Sequence, residues 1–394
     1  MHRPRALARR PSRDTVAAAG GAAVYSLSLG LASVAVPLLA IEAGYSGIGI
    51  GLLTATSAVS QMATRMVLGP VMRVLPDWTL VASAGLLLAL SNGMLVLSSA
   101  VVPFVVAELL QGVARACFWT GSQTHVVRGP GSAVGALATV NLVSSIGLLA
   151  GPVVAGVLGE RSIQLALTVG AVIALVSCVP PLFLDRLPPF SPPENRPPGR
   201  LWRRPGVDAG CWAGVTAGAW RGLLGSYVPV ALNAAQLTST TIGALVSVAN
   251  GAALTGAGVV GRLRRDQLVA CYAGAAVAAG VGIAVVAVVA SSPWLASVAL
   301  AASGLGAGAL QTVGPAIATE AVHPEERGEA IAVAGTFRAG ALLVAPLAVA
   351  GMLSVAPLAL AMGAAGVLIT LPALSARRVR LGPDLHYATK SEAP

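Results

Sequence analysis

Residues 16–40 read VAAAGGAAVYSLSLGLASVAVPLLA, without a single charge, and the tail before them carries Arg3, Arg5, Arg9, Arg10 and Arg13. Crossing the hydrocarbon core of a bilayer takes about 20 mostly apolar residues in a helix. A cleaved signal peptide has a shorter apolar core and a small-residue cleavage site. The stretch is therefore expected to stay attached as a first membrane helix.

The rest of the chain has the same character. Of 394 residues, 56% are hydrophobic and only 10% charged, and the mean hydropathy is +0.80. A soluble fold of this size needs a much larger charged surface, because one core cannot hide so many apolar residues. A net charge of +10 suggests nucleic acid only when the cations form a patch on a folded domain. Here they sit in short segments between long apolar stretches, which excludes that class. Lys390 is the only lysine among 25 basic residues, the bias of a GC-rich bacterial genome. Cys117, Cys178, Cys211 and Cys271 lie in apolar stretches without ligand spacing and read as small buried hydrophobes.

The template of the first span recurs near 46–68, 78–99, 102–123, 134–158 and 163–184. It recurs again near 209–232, 240–260, 268–290, 294–318, 329–353 and 356–374. The Gly- and Ala-rich 240–260 and 294–318 carry the weakest signal. The two tails and every second loop hold 20 basic residues, while the alternate loops hold one, Arg161. Basic loops stay cytoplasmic, so both termini are expected inside a bacterial plasma (inner) membrane and the number of spans is expected to be even. A missed or invented span would have mixed the two loop classes.

Residues 185–208 contain Pro188, Pro189, Pro192, Pro193, Pro197, Pro198 and Pro205 among arginines. Such a stretch predicts an extended cytoplasmic linker that buries nothing. It divides the chain into a tail (1–15), a six-helix bundle (16–184), the linker, a second bundle (209–375) and a second tail (376–394). The halves match at a shift of 192, which pairs Pro37 with Pro229, Gly51 with Gly243, Gly69 with Gly261, Arg73 with Arg265 and Gly112 with Gly304. A shift of 194 pairs Pro152 with Pro346. Both halves enter from the same side, so the repeat is parallel. The fold class expected is all-α, twelve membrane helices in two parallel six-helix repeats.

Six plus six spans, a central linker and a parallel repeat resemble the major facilitator superfamily. Its Gly-x-x-x-Asp-Arg-x-Gly-Arg-Arg pattern after span two is matched by Gly69. Arg73 stands in place of the Asp, Pro76 replaces the second Gly and Asp77 falls at an Arg position. Arg65 also fits the surroundings of that pattern. Span five carries Gly147-x-x-x-Gly151-Pro152-x-x-Ala155-Gly156, which resembles the motif of the family's drug–proton antiporters. Pro324-Glu325-Glu326-Arg327-Gly328 resembles the segment before span eleven. Residues 108–112, Glu-Leu-Leu-Gln-Gly, resemble an Arg-x-x-Gln-Gly element, with Glu108 at the Arg position and an arginine at 115 instead. The resemblance implies a monomeric secondary transporter of a small molecule, with spans one, four, seven and ten around a central cavity. It implies that Gly147, Gly151, Pro152, Gly156, Gly69 and Arg73 serve the conformational change. A proton-linked exporter is the first expectation, and uptake of an organic anion or a membrane sensor that keeps the fold are the alternatives.

Charge near the bilayer centre is costly and marks function by default. Arg115, Arg221 and Arg338 fall near mid-span, and Glu108 is the only acid well inside. Glu108 and Arg115, seven residues apart, share a helix face about 10.5 Å apart along the axis. They are expected to line a positively biased pocket for an anionic or polar solute, Glu108 carrying a proton, or else to form a static network between helices. Tyr25, Gln111, Trp119, Asn141, Trp220, Tyr227, Asn250 and Gln311 are polar or aromatic candidates on the same spans. No phosphate-cradling Gly-Lys-Ser/Thr loop is present, so no cofactor or nucleotide is expected. His2, His125, His323 and His386 are placed in tails or loops without metal spacing.

Overall fold

The computed structural model describes residues 13–128, 133–188, 201–260, 263, 267–322 and 327–378. Most of the Pro/Arg-rich connector, His2, His323, His386, Arg262, Arg264, Arg265, Lys390 and residues 324–326 lie outside them. The described chain is helical, from α1 (Arg13–Glu42), α2 (Gly47–Val71), α3 (Asp77–Leu97), α4 (Val101–Arg128), α5 (Ala133–Gly159) and α6 (Ile163–Val176) to α7 (Val207–Leu224). It continues through α8 (Tyr227–Ala234), α9 (Ser239–Val260), α10 (Leu268–Val286), α11 (Pro293–Glu320), α12 (Arg327–Met352) and α13 (Leu358–Thr370). Short 3₁₀ turns follow α6 and α13 and precede α7.

Ten of these helices are long and apolar enough to cross a membrane. The exceptions are α2, α7 and α8. The Gly/Ala-rich stretches at α9 and α11 do qualify. What lowers α2 is Ser57, Ser60, Gln61, Thr64 and Arg65 in sequence with its apolar residues; what lowers α7 is Asp208, Arg221 and its glycines.

The span expected at 209–232 is broken at Gly225–Ser226, where φ/ψ of Ser226 is −129°/−76°. Pro229 has no N–H to return to the Gly225 carbonyl, and a Gly/Ser pair is a common place for a helix to kink. The same proline does not break α1, where Pro37 lies inside a continuous helix. At the repeat shift of 192, Ser33 and Val34 stand where α7 has Gly225 and Ser226. The Ser33 hydroxyl donates to the Gly30 carbonyl at 2.7 Å, within the helix.

Exposed Leu86, Leu90, Val172, Val281, Leu360 and Val367 dress the outside of the bundle. A continuous apolar exterior of that kind marks a membrane or partner surface, and together with the ten apolar helices it makes this a multi-pass membrane protein. Inside, packing relies on small residues that let backbones touch, as in membrane bundles generally. A Cβ on Gly151 would stand 2.6 Å from the Gly30 backbone, and one on Gly147 2.5 Å from the Ala23 carbonyl, so α5 presses directly on α1.

Two ends can be distinguished. At the connector end, Asp14 of α1 accepts from the Asp185 N–H at 2.9 Å, and Tyr272 of α10 bonds Ser375 at 3.1 Å. Leu201, Val207 and Cys211 pack there with Ala318 and Ala330. The end of the connector is thus not wholly without burial, against expectation: Leu201 is 6% exposed and Trp202 lies 6.2 Å from Phe337. Both described termini lie at this end. At the far end the halves meet. Gly156 of α5 packs on Ser239 and Gly243 of α9, and Gly51 of α2 on Pro346 and Ala350 of α12. The Tyr227 hydroxyl donates to the Gly47 carbonyl at 2.8 Å, and Ser247 to the Leu149 carbonyl at 2.7 Å.

Candidate functional site

Between the two halves lies a layer of polar side chains that no soluble core would tolerate without function. On α4, Glu108, Gln111 and Arg115 follow one another at three and four residues, which puts them on one face. Glu108 is 5% exposed and Gln111 3% exposed. Arg115 donates through Nη2 to Gln111 Oε1 and lies within electrostatic reach of Glu108 and Tyr25. Tyr25 of α1 stacks on Phe118 with centroids 3.9 Å apart. On α2, Ser57, Gln61 and Arg65 repeat every fourth residue and so form a second ladder. The two ladders come together because Gly112 has no side chain: a Cβ there would collide with the Ser57 carbonyl. Ser60 donates to the Leu109 carbonyl at 2.9 Å and fixes the register.

The second half supplies the rest. Arg221 of α7 donates to Asn250 Oδ1 of α9 at 2.8 Å. Arg338 of α12 donates to Gln311 Oε1 of α11 at 3.3 Å. The Trp220 ring N–H donates to the Ser303 hydroxyl at 3.1 Å. Arg221 is within electrostatic reach of Arg115 in the other half and of Arg338, which in turn senses Arg65. Arg65 also meets the other half directly, since a Cβ on Gly335 of α12 would lie 3.6 Å from its Nη1. Four guanidiniums therefore share the interior, and the hydrogen-bond partners described for three of them are neutral amides. Among the described residues the ion pairs are elsewhere. Arginine does not shed its proton in proteins, so the layer is cationic.

Most candidates from the sequence are thus brought together: Glu108, Gln111, Arg115, Tyr25, Trp220, Arg221, Asn250, Gln311 and Arg338. Trp119 makes an edge contact with Phe118 at 5.4 Å. Asn141 is exposed on α5, and its carbonyl accepts from Ser145 at 2.8 Å. Tyr227 serves the far-end contact instead. Gly147, Gly151, Pro152 and Gly156 form a stripe that touches α1 at one end and α9 at the other. Gly69 falls in α2 and Arg73 in the exposed turn after it. Gln61 and Ser57 escaped the sequence reading. Their four-residue spacing ahead of Arg65 was the available signal.

A second polar cluster corrects an expectation. His125 is not in a loop: α4 runs on to Arg128 and the ring is 1% exposed. Its Nε2 lies 2.8 Å from Asp14 and its Nδ1 3.3 Å from Asp77. Arg128 Nη1 reaches Asp77 at 3.4 Å, and its other amino group donates to the Pro188 carbonyl. Asp77, one of the departures from the loop pattern after span two, thus joins α3 to α4, and His125 carries the tie on to Asp14 of α1. Among the described residues no group of His, Cys, Asp and Glu could hold a metal.

A multi-pass helical bundle in two halves, closed over an interior cationic layer, defines a membrane-transport class of protein. The chain belongs to the Major Facilitator Superfamily, whose sequence pattern matches residues 18–346. No curated protein matches it closely enough to be named beside it. Among solved structures, the nucleoside transporter NupG is similar with a TM-score of 0.77 at 12% identity, covering 92% of this chain and 99% of that one. The peptide transporter POT in complex with sulfate gives 0.76 at 12% identity, over 95% and 96%. A bacterial homologue of the human lysosomal transporter Spinster, inward-facing and unoccupied, gives 0.72 at 11% identity, over 95% and 100%. At such identities the likeness shows a shared fold.

Proposed function

We propose that this chain is a secondary active transporter that moves a small organic anion by alternating access, with Glu108 carrying the coupled proton. The observation that carries the reading is that Arg65, Arg338, Arg221 and Arg115, drawn from both halves, lie in successive electrostatic reach of one another, with Glu108 in reach of Arg115. Like charges held this close in a low-dielectric interior repel one another, and a bound anion relieves that repulsion. An ionised Glu108 offsets part of that repulsion in the empty site, and its protonation leaves more of it for the anion to offset, so proton and anion load together through one field.

In this reading α7 and α8 are two pieces of one crossing, and α2 is another, which gives twelve passes. The arginine count places the connector end and both termini in the cytoplasm of a bacterial cell. The far-end contacts of α2 with α12 and α5 with α9 are then the outer gate, closed in this conformer. A single chain contains both halves, so a monomer suffices.

The test is counterflow of radiolabelled organic anions into proteoliposomes. Arg221→Gln is expected to reduce anion exchange at least tenfold while the protein remains folded. Equal loss of anionic and uncharged solutes would assign the arginines to packing, and transport of cations alone would sink the reading.

A further inference from the structure

The two halves do not offer their polar groups to the interior in the same way. In the second half the buried polar side chains satisfy one another: Arg221 with Asn250, Arg338 with Gln311, Trp220 with Ser303. Asn250 also spends its amide N–H on the Val246 carbonyl at 3.1 Å. In the first half they do not. Among the described residues every buried side-chain polar atom without a partner lies between Tyr25 and Ser144. Within the two ladders and beside them these are Tyr25 Oη, Ser57 Oγ, Gln61 Oε1, Arg65 Nε, Gln111 Nε2 and Arg115 Nε. Native interiors rarely leave such groups unmade, and each instance asks for a complement.

We infer that the first half alone anchors the substrate, and that the substrate is a small carboxylate bearing a hydroxyl or amino hydrogen-bond donor near its carboxyl group. The inference rests on the anion-transport reading and adds to it which half binds and what else the anion must carry. The chemistry follows from the unpaired atoms. Gln111 gives its carbonyl to Arg115, which turns its amide N–H outward beside the free guanidinium Nε. Two such donors and the Tyr25 hydroxyl suit an oxyanion. Gln61 Oε1 on the facing ladder is an acceptor, so the atom opposite it must donate. The close crossing at Gly112 sets the donor-bearing ladder of α4 against the ladder of α2 that carries the acceptor. Among the described residues the second half leaves no buried side-chain polar atom unpaired, so its arginines contribute charge and complete the site on closure rather than select the ligand.

Binding to the purified full-length protein is measured by calorimetry with lactate, propionate and lactamide, and with mandelate, phenylacetate and mandelamide. Wild type is expected to prefer each hydroxy acid over its deoxy acid, and both over the amide, by tenfold or more. Gln111→Leu should weaken hydroxy-acid binding at least tenfold, and Gln61→Leu should erase the preference over the deoxy acid. Asn250→Leu and Gln311→Leu should shift affinity less than twofold while slowing transport. Any variant that melts differently without ligand is replaced by its Asn (for Gln) or Ser (for Asn) counterpart, held to the same expectations. Comparable losses from both halves, or a preference that survives at Gln61→Leu, would overturn the first-half anchor while leaving anion transport standing. No binding of any acid by wild type would overturn the substrate class. Binding without counterflow would instead sink the transport reading and leave the anchor intact.

Discussion

In the proposed mechanism Glu108 is the residue on which coupling turns. It is the acid inside the polar layer, it shares a helix face with Arg115, and Ser57 stands beside it. Glu108→Gln keeps the volume and removes the titration. Accumulation driven by a pH gradient in vesicles is expected to vanish, with counterflow at equal pH retained within a few-fold. Loss of both would make Glu108 a binding or structural residue, and loss of neither would end its proton role. Asp77 belongs to the other polar cluster. Its side chain is fully buried between His125 and Arg128, so Asp77→Ala leaves Arg128 without the carboxylate it reaches and His125 with Asp14 alone. Removing one member of a buried, hydrogen-bonded charge set costs about 1–3 kcal/mol, and thermal unfolding in detergent should show a lowered midpoint with solute binding unchanged.

At the scale of elements, the far-end contacts make testable demands because they are made of backbone. A side chain at Gly243 would collide with the Pro152 carbonyl, and one at Gly51 with the Tyr227 hydroxyl and Pro346. Gly243→Leu or Gly51→Leu should therefore hold the far end apart. A cysteine at Ser239 would label faster, and transport should fall at least tenfold while ligand still binds; unchanged labelling would show that these helices do not form the gate. Glu160, just past α5, adds a pH term to the same contact. Its carboxylate accepts from Thr240, and hydrogen bonds from Thr240 and then Thr238 hold it below the ordinary carboxylate range. A lowered acid stabilises the contact above its ordinary pKa and loses that contribution as pH falls through the lowered value. Labelling at Ser239 should then rise on acidification below about pH 4, only slightly because the carboxylate is exposed, and Glu160→Gln should remove the dependence. The α7–α8 break belongs to this scale too. Pro37 and Pro229 are repeat partners, and their helices differ because Gly225–Ser226 faces Ser33–Val34 across the repeat.

At the scale of the whole molecule the claim open to measurement is sidedness. In a cysteine-free background, Arg186→Cys near the connector is expected to react with a membrane-impermeant maleimide only after the cells are opened, and Arg161→Cys at the far end in intact cells. The reverse pattern would move the closed gate to the cytoplasmic side. The sequence by itself determined that lipid surrounds the chain, because apolar stretches of spanning length recur along it and only 10% of its residues are charged. It also determined the two-half plan and the family, because periodic glycines, prolines and loop arginines are local patterns that survive without contacts. Only the tertiary structure decided which polar groups face one another. Helix rotation and pairing set that, and no spacing along one helix reveals them. Gln61 gained meaning when Gly112 brought α4 against α2, His125 when α1 and α3 delivered an aspartate to each side of its ring, and the unequal halves when the unpaired buried polar atoms among the described residues proved to lie in one of them.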